Sequence, residues 1–423
     1  MKKKYLFIKL LNLLPHQISI YISKLILLSF KRKFFLELEK LSREFPAKTF
    51  SSKPHFNRIL IIRLDGLGDM VWTTSLIREL KKNRPDSDID LVVRSSVYSL
   101  MKQCPYINNI YKYDCDVAGN VKNANYKEFE LKAKIFSSKF LVKNNYDIVI
   151  LPREIYIDSG FDNIALSFYC KAKYRIARGC SYNTLQYARC MCTKKYFSGF
   201  ITVEKPKHQV DQILDFISFL GGNIYDRKME LWEDDLSKNS VLKLLEGYNV
   251  GKDCILVVVG LAGSCPSKSW PIHNYLKLID EVNKKYKNFV KFILIGESSL
   301  GIDVMNIKND NIINLVGKTS LLELLSVVKC SNLYIGADTG TKHMASACGK
   351  YIIEISDHLK DDMYISRGSP DIYGPWQVQN KVIEPEHGLD DCVGSCSKTY
   401  PHCIKQIKVD EVLSALETFI MKK

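Results

Sequence analysis

From residue 54 onward, short uninterrupted apolar runs alternate with longer stretches in which apolar residues recur every three or four positions. The first pattern suits a strand buried on both faces, and the second an amphipathic helix. Strands are predicted at Ile59–Ile62, Ile89–Val93, Ile107–Tyr113, Asp147–Leu151 and Tyr174–Ala177, with helices over Met70–Asn83, Lys127–Asn144 and 207–220. Residues 221–250 are polar and contain glycine, and read as a linker. The alternation then restarts. Strands are predicted at Cys254–Val259, Phe289–Ile295, Ile312–Leu315, Leu333–Ile335 and Tyr351–Ile355. Helices are predicted over Ile272–Tyr286, Leu321–Val328, Lys342–Ala347 and Val409–Met421. Two such halves predict an α/β chain with two Rossmann-like, doubly wound domains facing a cleft.

The first 53 residues follow a different pattern. Lys2-Lys3-Lys4 precedes an apolar run broken by Lys9, Pro15, His16, Gln17 and Lys24. Phe34, Leu38, Leu41 and Phe45 then recur at helical spacing. No stretch offers the roughly 20 clean apolar residues of a membrane span. The expectation is a set of amphipathic helices lying on an anionic bilayer, with packing against the body as the alternative.

Charge sharpens this division. The 423 residues carry a net +15, yet residues 1–53 alone hold twelve Lys/Arg against three acids. The basicity sits in the arm, so the body is not expected to bind nucleic acid. At 46% apolar and 25% charged, the chain is an ordinary globular protein rather than a disordered one. Thirteen cysteines cannot all pair, and no cleavable leader is evident, so free thiols in a cytoplasm are expected.

Three places carry candidate chemistry. The first strand runs into Asp65-Gly66-Leu67-Gly68-Asp69 and a helix. Val71 stands where a dinucleotide fingerprint needs its third glycine, and no Gly-Lys-Ser/Thr follows. What remains is a turn setting Asp69 at a helix N-terminus, with Asp65 beside it. A helix cap and a general base are both compatible with Asp69. The second place is Ser264 to Pro271, after the strand ending at Val259. It offers Ser267 and Lys268 at a helix entry, where Pro271 suits the first turn, and so a phosphate site. Glu297 follows the next strand. A ribose diol could use it, although a solvated acid is the plainer reading. The third place is Asp338-Thr339-Gly340-Thr341-Lys342-His343, again between strand and helix. Thr339 and the amides after Gly340 can cradle a diphosphate. An N-cap would explain Asp338 or Thr339, but not the glycine and His343 together.

Arg63 to Asp69, Lys268-Ser269-Trp270-Pro271 and Asp338 to His343, in this order, resemble glycosyltransferase family 9, the ADP-heptose:lipopolysaccharide heptosyltransferases. The resemblance spans about residues 58–423. It implies a GT-B fold and an inverting glycosyl transfer that needs no metal ion for the leaving group. With the arm over 1–53 outside it, the domains expected are an acceptor domain over 54–225, a donor domain over 226–403 and a C-terminal helix over 404–423. It implies Asp69 as the base, Lys268 on the donor phosphates and Glu297 on the ribose. Asp338, Thr339, Gly340 and His343 map to the diphosphate and sugar end, with Thr341 among them. No cofactor is implied beyond an ADP-linked sugar donor. The acceptor would be a lipid-anchored glycan at the inner face of the bacterial cytoplasmic membrane. A non-hydrolysing sugar-nucleotide epimerase and an inactive nucleotide-sugar-binding protein of the same fold are the alternatives. Two departures bear on the donor: Thr341 stands where the family usually has Pro, and Asp357 to Pro375 is longer and more polar. Cys392, Cys396 and Cys403 form an incomplete zinc set, needing His402 or His387 as a fourth ligand. Their spacing matches no standard finger, so a thiol cluster without metal is expected.

Overall fold

The structure, a computed structural model, describes residues 32–48, 55–114, 126–154, 161–180, 193–248, 250–251, 253–263, 265–297, 309–360, 368–390, 392, 396 and 398–422. The arm before residue 32 and Ser264 therefore lie outside the described residues. The chain forms two compact units, one built mainly from residues up to 227 and the other from residue 228 onward.

In the first unit, six strands run in the order β3-β2-β1-β4-β5-β6. They are β1 (Arg58–Arg63), β2 (Asp88–Val93), β3 (Asn109–Lys112), β4 (Ile148–Glu154), β5 (Tyr174–Cys180) and β6 (Gly199–Val203). Every pairing is parallel. Ile59 to Ile62 are fully buried, as the central strand of a sheet covered on both faces must be. Strand order reverses between β1 and β4, which makes their carboxyl ends the topological switch point. The second unit repeats the plan as β12-β11-β10-β7-β8-β9. Here β7 is Ile255–Gly260, β8 Val290–Ile295, β9 Ile312–Asn314, β10 Leu333–Gly336, β11 Tyr351–Ile355 and β12 Asn380–Ile383. Its switch point lies between β7 and β10, whose registers end side by side at Gly260 and Gly336.

Several expectations need correction. The helix Arg32–Glu44 does not offer its apolar side to a membrane. Phe35, Leu38 and Leu41 are buried in the core of the first unit. Lys40 reaches Glu130 at 2.9 Å, Phe45 stacks edge-on against Tyr169, and Arg175 donates to the Phe45 carbonyl. The stripe that suggested lipid is matched by an apolar surface of the protein itself. Among the described residues, no helix is long and apolar enough to cross a membrane. The stretch 221–250 is not all linker, because Asp235–Glu246 is a helix capped by Asp234, whose carboxylate accepts from the Ser237 amide. The helix over 127–144 ends early at Phe136, continuing as a π-turn and a 3-10 turn up to Asn145 at φ 49. Pro271 caps the helix Ile272–Tyr286 rather than entering it. The C-terminal helix Val409–Ile420 is part of the second unit's core, through Val412, Leu416 and Phe419.

Candidate active site

Each sheet carries a polar cluster at its switch point. In the first unit, Arg63 closes β1 and is 2% exposed. Its Nη2 donates to Asp69 Oδ1 at 2.7 Å, and its Nε lies 3.1 Å from Asp65 Oδ2. Arg153, near the end of neighbouring β4, donates to the other Asp65 oxygen. Asp65 thus ties two arginines together and is not a second open carboxylate. Gly66 is the N-cap of the helix Leu67–Asn83 and has ordinary extended backbone. No left-handed geometry demands a glycine there. A Cβ at Gly66 would sit 3.8 Å from Asp69 Oδ2, an ordinary van der Waals contact. Gly68 lies half-buried in the first turn.

The N-cap position belongs to Gly66, and Asp69 sits in the first turn with its carboxylate on that amide. Its side chain remains 37% exposed. Burial raises its pKa above the usual carboxylate range, with help from Asp65, while Arg63 and Arg153 pull it back. A solvent-reachable carboxylate with raised proton affinity can take a proton from a hydroxyl.

In the second unit, Lys268, Asp338, Thr339, Gly340 and His343 converge after β7 and β10. The Tyr334 ring covers both strand ends. A Cβ on Gly336 would meet its hydroxyl at 2.6 Å, and one on Gly260 would come closer still. Tyr334 also bonds the Thr339 hydroxyl at 3.2 Å. Thr339 therefore caps the helix Gly340–Ala347 through its backbone position alone, with no side-chain bond to the helix. Lys268 ends the short turn Pro266–Lys268, and Gly263 passes so close that any side chain there would strike the Lys268 Cβ.

Asp338 is the hub. Its Oδ2 accepts from Lys268 at 2.9 Å and its Oδ1 from Lys342 at 2.7 Å, with His343 Nε2 at 3.5 Å. Burial opposes its ionisation, yet Lys342, His343 and Lys268 hold it well below the usual range. Burial likewise opposes the charge on Lys268, but Asp338 and Asp357 keep that ammonium above its usual range. His343 is pushed down to about 4 by burial and by Lys342. It is therefore a neutral imidazole at pH 7. Glu354, in the middle of the sheet, is pushed up to about 7 by burial, with Asp338 adding to the shift.

Ser267 is buried, with its hydroxyl on the Cys265 sulfur. Thr341 is half-buried on the first turn of its helix. Glu297 is exposed just past the end of β8. Arg63, Arg153, Lys342, Glu354 and Asp357 were not among the sequence candidates. Lys342 was legible as a cation four residues after Asp338, in the first turn of the helix that follows it. Glu354 was legible as the one charge inside an otherwise apolar strand run.

The sequence profile of glycosyltransferase family 9 (heptosyltransferase) matches residues 186–356, which include Lys268 and the Asp338 cluster. Lipopolysaccharide heptosyltransferase 3 of Escherichia coli (strain K12) is 25% identical over 361 residues, covering 84% of this chain and 95% of that protein. Over residues 186–356 the chain carries the profile of glycosyltransferase family 9, and along most of its length it is similar to a lipopolysaccharide heptosyltransferase. It is a glycosyltransferase, and its fold agrees. The crystal structure of a family 9 glycosyltransferase from Veillonella parvula superposes with a TM-score of 0.68 at 17% identity, covering 87% of this chain and 98% of that one. The structure of E. coli ADP-heptose lipopolysaccharide heptosyltransferase II gives 0.59 at 16% identity, covering 86% and 99%. The chain thus has the α/β, GT-B-type architecture of these structures.

Proposed function

We propose that this glycosyltransferase moves heptose from ADP-heptose onto a lipopolysaccharide core acceptor, with inversion and without a metal ion on the leaving group. The observation that carries the reading is the cluster at the second switch point. Two lysines are held on one carboxylate, beside the N-terminus of an eight-residue helix. Helix amides and ammonium groups together form an anion site. Phosphates would exchange part of the Lys268–Asp338 contact for their own oxygens. Asp338 acts in this proposal as a positioning residue, since a carboxylate would repel phosphate directly.

Asp69 is the proposed base. It takes the proton of the acceptor hydroxyl as that oxygen attacks the anomeric carbon opposite the diphosphate. The C–O bond to the diphosphate breaks, and the developing negative charge is met by Lys268 and by the amides following Thr339. Neutral His343 is suited to hydrogen-bonding a phosphate or sugar oxygen rather than to ion pairing. Glu297 is assigned to the ribose. The acceptor being lipid-anchored, the enzyme is assigned to the inner face of the cytoplasmic membrane, with the basic residues before Arg32 as the contact and nucleic acid excluded as a partner.

The test is nucleotide release from ADP-, UDP-, GDP- and CMP-sugars, with and without core-truncated lipopolysaccharide. The proposal expects release from ADP-heptose only when acceptor is present. Turnover without acceptor, or turnover of another donor alone, would contradict it.

A further inference from the structure

Three cysteines and one histidine within residues 392–403, at spacings no standard finger uses, meet at one point of the second unit. Cys392, Cys396 and Cys403 are all buried, and none is in a disulfide. Their sulfurs and a ring nitrogen of His402 lie within 4.8 Å of one another. The Cys392 and Cys396 sulfurs are 4.0 Å apart. The Nδ1 of His402 is 3.7 Å from Cys392, 3.7 Å from Cys396 and 3.3 Å from Cys403. A tetrahedral zinc ion with Zn–S of about 2.3 Å and Zn–N of about 2.0 Å has S···S edges of about 3.8 Å and S···N edges of about 3.5 Å. The three S···N separations bracket the second value, and the Cys392–Cys396 separation lies slightly above the first.

Hydrogen bonding among the thiols does not account for this arrangement. The other ring nitrogen, Nε2, lies 3.2 Å from Asp390 Oδ2. With its proton directed there, Nδ1 presents a single lone pair, which can accept from only one of three S–H groups. A carboxylate on the distal nitrogen is also the usual support of a metal-bound imidazole. We propose that Cys392, Cys396, His402 and Cys403 bind one zinc ion. Four protein ligands leave no open coordination position, so the site is structural rather than catalytic. The linear spacing argued against a metal because it is His402, next to Cys403, that completes the set, and not a histidine at finger spacing.

The zinc would fasten a loop to the donor-side machinery. Leu359 packs into the cysteine cluster and is fully buried. A Cβ at Gly388 would run into both the Cys392 carbonyl and Leu359. Leu359 lies two residues beyond Asp357, whose charge acts on Lys268. His358 and Lys360 join the same strip of chain, at Glu384 and at the Pro385 carbonyl.

The test is elemental mass spectrometry of the purified full-length protein, together with cobalt(II) exchange. The expected result is about one zinc per chain, and for the cobalt form the intense visible bands and thiolate charge transfer of a tetrahedral site. Cys396→Ser should lose both. Asp390→Asn keeps all four ligands, so it should fold and retain zinc, with affinity weakened about 10–100-fold in chelator competition. Folded wild-type protein with no stoichiometric zinc after reconstitution would overturn the proposal. So would stoichiometric iron in its place, a disulfide between any two of these cysteines, or an Asp390→Asn affinity equal to wild type.

Discussion

Arg63 lies against two carboxylates and so sets the proton affinity of the more open one. Its guanidinium lowers the Asp69 pKa against the rise caused by burial. Arg63→Gln should therefore raise that pKa further. The acid limb of kcat/KM against pH should move upward, by about one unit for a charge removed at contact distance. An unmoved limb in folded, active variant would show that Asp69 is not the group titrating. Glu354 offers a second residue-scale test, in stability. Its pKa rises from 4.5 in the unfolded chain to about 7 in the fold. The stability it contributes is present below 4.5 and is lost as pH rises through about 7. His343 runs the other way: lowered from 6.5 to about 4, it contributes stability above 6.5 that is lost as pH falls toward about 4. The two slopes oppose each other in wild type. In Glu354→Gln the opposing Glu354 slope is removed, so the variant's unfolding midpoint should climb more steeply with pH from about 4 to 6.5 than wild type does. The difference between the variants, on the order of a few kcal/mol across the window, is read by thermal melts at about pH 5 and about pH 8. Parallel pH profiles would contradict the assignment.

At the scale of elements, the helix Arg32–Glu44 is the sharpest case. Leu38 and Leu41 are fully buried in the first unit's core. Leu41→Ala should therefore cost about 2–5 kcal/mol of stability, measured by denaturant unfolding of the full chain. A helix that served lipid would instead lose vesicle binding and leave stability unchanged. Its sequence pattern could not separate the two, because an amphipathic stripe looks the same whether it meets lipid or protein. The parallel strands were legible because burial on both faces leaves no polar alternation: Ile59 to Ile62 and Leu256 to Val259 are unbroken. The helix Asp235–Glu246 was not, because it buries only Val241 and Leu245 and exposes Leu236. The strand Gly199–Val203 was missed for a related reason. It is the edge of its sheet, half-buried in alternation, and its glycine faces the Phe219 ring, where no side chain fits. The motif residues Asp69, Lys268, Asp338, Thr339 and His343 were found by their place at strand ends. Glu354 was not, because it lies inside a strand whose other residues are apolar, and Arg63 was not, because as the last residue of β1 it reads as part of the strand and not of the turn that follows.

Across the whole molecule, two sheets of the same topology each place charged side chains at the strands where order reverses. The family match over residues 186–356 falls largely on the second unit's cluster. The base assigned to the first unit rests on the local geometry of Arg63, Asp65 and Asp69. The most direct measurement is therefore acceptor-dependent ADP release from ADP-heptose by wild type and by Asp69→Asn, with donor affinity determined alongside. Asp69→Asn should lose about 10²–10⁴-fold in kcat with donor binding unchanged, as expected when a positioned base is removed. Activity of Asp69→Asn within a few-fold of wild type would contradict it.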